Sequence, residues 1–104
     1  MSKSAKAKYC IGQLIQHKLF DYRGIILGVD LEFKSTDEWY EVVAKSRPPK
    51  NEPWYHVLVD KTQQMTYVAE KNLQPDKVRQ PIDHPSVGDF FSDFQNGRYI
   101  QMVH

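Results

Sequence analysis

The chain has 104 residues, a formal net charge of +1, and hydrophobic and aromatic shares of 40% and 12%. This length builds one hydrophobic core rather than two, and the composition excludes a chain that is disordered throughout. The single cysteine, Cys10, excludes an internal disulfide, and every apolar run is too short for a membrane helix. We therefore expect one globular domain in the cytoplasm, with no membrane partner.

Positive charge is concentrated at the start of the chain. Residues 1–9 carry Lys3, Lys6 and Lys8 without any acidic residue, and they are predicted to form a flexible basic tail. Without these three lysines the chain contains 11 basic and 13 acidic residues, a net charge of −2. Proteins that hold DNA chiefly by phosphate neutralisation have basic domains, so this balance argues mildly against that use for residues 10–104.

Residues 11–33 are predicted to form the first two strands. Polar and apolar side chains alternate over 11–20, with the period of two that is typical of a half-buried strand. Residues 23–33 are rich in β-branched side chains, and Gly24 and Gly28 predict that this second strand is strongly bent. Since such a bend allows a short sheet to close, we expect a small barrel.

A charged excursion over residues 31–52 follows the second strand. Ser35 and Glu38 have the spacing of a capping box, and apolar residues with helical spacing predict a short helix over 37–45. This helix must end before residues 48–53, because the three prolines there remove backbone donors and disfavour helical dihedrals.

The clearest strand is WYHVLVD, residues 54–60, and residues 65–70 are its predicted hairpin partner. We expect this hairpin to form the centre of the sheet. It is followed by a tight turn over 70–75, in which Leu73 is predicted to enter the core.

Residues 84–103 have a different pattern, with apolar side chains at near-helical spacing up to Phe94 and then a break at Asn96 and Gly97. This predicts a short amphipathic helix, a turn and a last strand over 98–103. A homo-oligomer is compatible with this pattern, formed through either the spare apolar face of the barrel or the helix that carries Phe90, Phe91 and Phe94. The predicted fold class is mainly β: a small barrel of about five strands with one or two short helices.

Residues that could support catalysis or bind a metal are scattered. The cysteine and the four histidines lack the close pairs that zinc sites use; they are Cys10, His17, His56, His84 and His104. The five glycines form no phosphate-binding motif. We therefore expect neither a metal nor a cofactor, and a binding protein rather than an enzyme.

Two segments resemble a known family, the Q-type heat-shock proteins, also called YccV-like or hemimethylated-DNA-binding domains. The first is IGQLIQHKLFDYRGIILGVD, residues 11–30; the second is PWYHVLVD, residues 53–60, followed by TYVAEKNLQP, residues 66–75. The resemblance implies a small SH3-like β-barrel. It also implies binding of hemimethylated DNA and a role in protein quality control, promoting degradation of particular proteins with the Lon protease and its protein clients as partners.

The recognisable motifs supply four candidate contact residues, and each also has a structural interpretation. Trp54 and Tyr55 either contact a partner or pack in the core, as aromatic residues of small domains commonly do. His56 is either a contact or a hydrogen-bond partner of the turn over 70–73. Asn72 is either a contact to a base edge or a turn former, and the turn is favoured.

Exposed basic and aromatic residues supply the remaining candidates. Tyr22 and Arg23 are predicted at a loop tip, where binding residues commonly lie. Lys45, Arg47 and Lys50 are the basic residues of the excursion, and with the tail lysines they could contact phosphates. A solvated loop with no binding role explains the same charges.

Two functions remain open from the sequence. The net charge of −2 and the acidic residues of the excursion favour a protein partner, either a protease or its clients; these residues are Glu32, Asp37, Glu38 and Glu41. Recognition of hemimethylated DNA instead requires an apolar contact for one methyl group, which an aromatic pocket near Trp54 and Tyr55 would supply.

Overall fold

The computed structural model describes residues 6–102 and is mainly β, with seven strands and two short helices in that range. No helix within the described range is long and apolar enough to cross a membrane. The elements in chain order are β1 (Leu14–His17), β2 (Arg23–Asp30), α1 (Asp37–Val43), β3 (Trp54–Val59), β4 (Met65–Ala69), a 3-10 turn (Glu70–Asn72), β5 (Leu73–Pro75), α2 (Val87–Phe90), β6 (Phe91–Gln95) and β7 (Arg98–Gln101).

Five strands form one antiparallel sheet in the order β4-β3-β2-β1-β5, and β6 pairs with β7 in a separate hairpin. The predicted β3–β4 hairpin is confirmed, with His56 opposite Tyr67. It does not form the centre of the sheet, because β2 occupies the middle and β4 lies at one edge. Between residues 6 and 102 no strand pairing joins β4 to β5, so the predicted closure into a barrel is not confirmed.

The predicted bend in β2 has two visible causes. Its register against β3 shifts between Ile26 and Gly28, which leaves an extra residue on the bent strand. At Gly24 the backbone of β3 comes so close that an added Cβ would lie 2.6 Å from the carbonyl oxygen of Leu58. Only glycine therefore allows this approach of the two strands.

Both faces of the sheet are covered by apolar side chains. On one face, β6 and β7 contribute Phe91 and Tyr99 to a cluster with Leu14, Ile25 and Leu58. The second cluster combines residues from all five strands of the sheet: Ile15, Ile26, Tyr55, Val57, Val68 and Leu73. The predicted burial of Leu73 is confirmed, although β5 rather than a turn carries it.

Helix α1 begins at Asp37, the predicted first residue, but Ser35 is not its N-cap. Its N-cap is Thr36, whose hydroxyl accepts a hydrogen bond from the Trp39 N–H at 3.1 Å, and Ser35 has no capping role. The helix ends at Val43, before the prolines, as predicted. It is held against the sheet by a cluster of Tyr40 with Trp54 and Ala69.

The predictions for the two ends of the chain require correction. Ala7 and Tyr9 pack against the core, so the described part of the predicted tail is not a free segment; Lys3 lies outside the described residues. The predicted helix through Phe94 stops at Phe90, because residues 91–95 form β6 and pair with β7. Phe91 is consequently buried and cannot belong to an exposed apolar helix face.

Candidate functional site

A groove of about 840 Å³ lies beside β4. The loop between β1 and β2 forms one wall, and α1 with the residues after it forms the other. We call this cavity the β4 groove. Its lining residues are His17, Leu19, Phe20, Tyr22, Trp39, Val43, Ala44, Lys45, Ser46, Pro48, Trp54, His56, Gln64, Met65, Thr66, Tyr67, Val68, Ala69 and Asn72.

The wall formed by the β1–β2 loop presents apolar side chains held by a histidine. His17 Nδ1 accepts hydrogen bonds from the backbone N–H groups of Leu19 and Phe20, both at 3.1 Å. The Phe20 ring stacks on the His17 imidazole with centroids 4.7 Å apart. Leu19 and Phe20 nevertheless remain 59% and 72% exposed. Burial lowers the pKa of His17 below its ordinary value, which keeps Nδ1 available as an acceptor.

The opposite wall is positioned by a group of aromatic rings. Trp39 on α1 packs edge-on against Trp54 of β3, with ring centroids 6.0 Å apart. The Trp54 Nε1–H donates to the Pro49 carbonyl at 3.0 Å, and the Tyr40 hydroxyl donates to the Pro48 carbonyl at 2.7 Å. These contacts fix the proline segment and α1 to the sheet, and Val43 at the end of α1 remains half exposed.

A polar network lies at the floor of the groove. The Tyr67 hydroxyl donates to Asp30 Oδ2 at 2.7 Å, and His56 Nε2 lies 3.2 Å from the same oxygen. Burial, together with the hydrogen bond to Asp30, raises the pKa of Tyr67 to about 12. Tyr67 therefore stays neutral over the physiological range and acts here as a hydrogen-bond donor. The hydroxyls of Tyr22 and Thr66, 2.8 Å apart, join the first wall to β4.

The described side chains that line the groove include one Lys and no carboxylate, and the Asp30 carboxylate lies behind Tyr67 and His56. Among the described residues that line it, Lys45 is the one Lys or Arg, and none is Asp or Glu. The other two predicted basic contacts are paired with carboxylates on α1: Arg47 with Glu41, and Lys50 with Asp37 at 3.0 Å. Each of these two cations therefore has an acidic neighbour, and both ion pairs are exposed to solvent.

The other predicted contact residues fall into two groups. Tyr22, Lys45, His56 and Asn72 line the groove with some exposure. Trp54 and Tyr55 are at most 1% exposed, so the structural interpretation holds for both side chains.

Two predicted roles differ from what the structure contains. Arg23 is not at a loop tip: it begins β2, and its guanidinium pairs with Asp76 at 3.0 Å and Asp60 at 3.5 Å. The turn after β4 is bonded by Tyr55, whose hydroxyl donates to Glu70 Oε2 at 2.6 Å, rather than by His56. Both differences arise from partners that are distant in the sequence.

Sequence reasoning missed the exposed apolar residues of the groove, which are Leu19, Phe20, Val43 and Met65. They belong to three separate segments, so no local periodicity groups them. The one available signal was Leu19-Phe20 at the end of the predicted strand over 11–20, where two consecutive large apolar residues interrupt the alternation.

No group of three His, Cys, Asp or Glu side chains in residues 6–102 is placed to hold a metal ion. The site is thus defined by shape, apolar contact and a few hydrogen-bond donors. Those are features of a small β domain that binds a ligand or partner in a groove.

Comparison with known proteins identifies the family. The model of the family described as hemimethylated DNA-binding protein, YccV-like, matches residues 7–98. The chain belongs to this family, as the sequence resemblance indicated. It is also 34% identical over 94 residues to F-box only protein 21 of Homo sapiens and of Mus musculus, an alignment that covers 88% of this chain. The aligned region spans only 15% of the length of these relatives.

The hydrogen bonds of His17 predict a pH-dependent groove wall. Protonation of Nδ1 would remove the acceptor for Leu19 and Phe20, so the folded state resists it. Because the folded pKa lies below the ordinary value of 6.5, this stabilisation is present above pH 6.5 and is lost as the pH falls through the folded pKa.

We expect NMR titration to give a His17 midpoint below 6.5, with the amide resonances of Leu19 and Phe20 changing at the same midpoint. In His17→Asn, whose side-chain oxygen can accept without titrating, these amides should lose that transition. A midpoint at or above 6.5 in the unmodified protein would contradict the assignment.

Proposed function

We propose that this protein is a non-enzymatic binding module that holds apolar segments of unfolded proteins in the β4 groove. In this role it serves protein quality control in the cytoplasm by presenting such clients to a Lon-type protease. The observation that carries the proposal is the gathering of four exposed apolar side chains around one groove: Leu19, Phe20, Val43 and Met65.

Isolated apolar residues are normal on protein surfaces, whereas a contiguous apolar patch marks an interaction site. These four side chains come from the β1–β2 loop, α1 and β4, yet they border the same cavity. Met65 adds an unbranched, adaptable side chain, which suits a surface that accepts varied sequences. The polar network of Tyr67, His56 and Asp30 supports the groove.

The quality-control role and the protease partner rest on the resemblance to the Q-type heat-shock proteins. The same resemblance supports a finer description of the fold as SH3-like. In favour of it are the sheet order β4-β3-β2-β1-β5 and the shift of register between β2 and β3 at Ile26 and Gly28. Self-association of the chain remains part of the proposal, but through the groove or an edge strand rather than through a helix bearing Phe91.

Substitutions at exposed groove residues test this function without disturbing the core. Phe20→Ser should weaken binding of reduced, carboxymethylated α-lactalbumin, a permanently unfolded probe, by roughly tenfold. The reason is that the variant has one large apolar side chain fewer to bury against the client on binding. Its free energy of unfolding should change by no more than about 0.5 kcal/mol, since Phe20 is 72% exposed.

Val78→Ser is the matched control, because Val78 is 54% exposed but lies outside the groove. It should leave the affinity unchanged in the same fluorescence anisotropy titration. Equal affinities of the Phe20→Ser and Val78→Ser variants would exclude the groove as the binding site.

Binding of hemimethylated DNA is the second candidate, and the family description favours it. A polar cleft of about 470 Å³ near β7 offers a place for phosphates, since Arg79 and Arg98 both border it. Arg79 bonds the Asn96 carbonyl and Arg98 lies 2.8 Å from the Cys10 sulfur; neither has a carboxylate partner in the described part of the chain. This cleft is a better phosphate site than the paired Arg47 and Lys50.

Duplexes that are unmethylated, hemimethylated or fully methylated distinguish this candidate when titrated at several salt concentrations. If phosphates occupy the cleft, the double variant Arg79→Ala, Arg98→Ala should lower the slope of log affinity against log salt by about 2. Lys50→Ala should leave it unchanged, because Lys50 does not border the cleft. Equal affinities for the three duplexes would exclude specific binding of hemimethylated DNA.

A further inference from the structure

We infer that the occupant of the β4 groove is an extended segment that pairs with the free edge of β4, with apolar side chains on its faces and an acidic side chain beside Lys45. The inference rests on the proposed function and specifies how the client is held. It follows from the backbone of β4, the two apolar walls and the charge of the groove.

The free edge of β4 is defined by its hydrogen bonds to β3. Val59 N–H donates to the Gln64 carbonyl, and Glu70 N–H donates to the Pro53 carbonyl. In an antiparallel pair the residues that bond the partner alternate, so Thr66 and Val68 also direct their backbone groups towards β3. The N–H and C=O groups of Met65 and Tyr67 consequently point away from β3.

Those outward backbone groups are available for pairing. β4 is the last strand of the sheet, and within residues 6–102 it pairs with β3 alone. Met65 is 53% exposed, so at least this end of the edge meets solvent. An added strand satisfies such an edge with main-chain hydrogen bonds, which require no particular sequence.

The walls of the groove stand on either side of that edge. Leu19 and Phe20 project from the β1–β2 loop, and Trp39 and Val43 project from α1. Successive side chains of a strand point to opposite faces, so a segment paired with β4 would direct alternate side chains towards the two walls. Apolar residues on both faces of the segment therefore match the groove.

Charge distinguishes one end of the groove from the other. The Lys18 N–H donates to the Asn72 carbonyl at 2.8 Å, and Asn72 Nδ2 donates to Ser46 Oγ at 3.2 Å, which brings the end of β1 close to the segment that carries Lys45. Because His17 Nδ1 accepts two N–H groups, the neutral ring carries its proton on Nε2. Lys45 and His17 thus supply donors to a groove in which no described lining residue is acidic.

The closing experiment uses synthetic peptides of eight residues that alternate Val and Ala, so that both faces are apolar, and that contain one Glu. Two further versions are N-methylated at either the odd or the even backbone amides, so that each version loses the donors of one strand edge. Fluorescence anisotropy should show roughly tenfold weaker binding for one methylated peptide only, since just one edge of the peptide faces β4. Equal affinities of the two methylated peptides would overturn strand pairing.

The charge is tested with the protein variants Lys45→Glu and Lys77→Glu, which make the same change at exposed lysines inside and outside the groove. We expect Lys45→Glu to weaken binding of the Glu-containing peptide roughly fivefold at low salt. The same variant should bind a peptide with Lys in place of Glu more tightly than the unmodified protein does. Lys77→Glu should leave the affinities for both peptides unchanged. The same response from both variants would overturn the acidic contact.

The outcomes separate this inference from the proposed function. If Phe20→Ser weakens binding of unfolded α-lactalbumin while the parent peptide fails to bind, or the two methylated peptides bind equally, the groove remains a client site and strand pairing is wrong. If Phe20→Ser changes the binding of neither α-lactalbumin nor the parent peptide, the proposed function itself fails.

Discussion

Two consecutive buried aromatic residues on β3 organise the rest of the structure. Trp54 and Tyr55 point to opposite faces of the sheet because they are neighbours on a strand. On one face Trp54 fixes the excursion and α1 through the Pro49 carbonyl and the ring of Trp39. On the other face the Tyr55 hydroxyl bonds Glu70 and accepts the Tyr9 N–H, which joins the N-terminal segment to the turn after β4. Burial and the bond to Glu70 raise the pKa of Tyr55, so its hydroxyl stays protonated and remains a hydrogen-bond donor.

The groove is a consequence of that arrangement. Because Trp54 holds α1 on one side of β4, and the Tyr22–Thr66 contact holds the β1–β2 loop on the other, the free edge of β4 lies between two walls. An unprotected edge strand promotes aggregation, and proteins usually cover it or place charges on it. Here the edge lies between two apolar walls, as the proposed pairing with another chain requires.

The sequence predicted much of the fold because local patterns carried it: alternation for β1 to β4, helical spacing for α1, and prolines for its end. Prediction failed where residues distant in the sequence determine the secondary structure or the ion pairs. Phe91 and Phe94 have helical spacing, yet pairing with β7 makes them a strand. Arg23 was predicted to be an exposed cation, but it pairs with Asp60 and Asp76, which are 37 and 53 residues away in the sequence. The groove joins three segments, so no single stretch of sequence could reveal it.

Mapping of the binding surface by NMR tests the central claim most directly. Backbone amide resonances of the whole protein would be followed while unfolded, carboxymethylated α-lactalbumin is added. The account predicts that the largest shifts and losses of intensity occur at Leu19, Phe20, Met65 and Tyr67. Changes concentrated around Arg79 and Arg98, with the amides of the β4 groove unaffected, would contradict it.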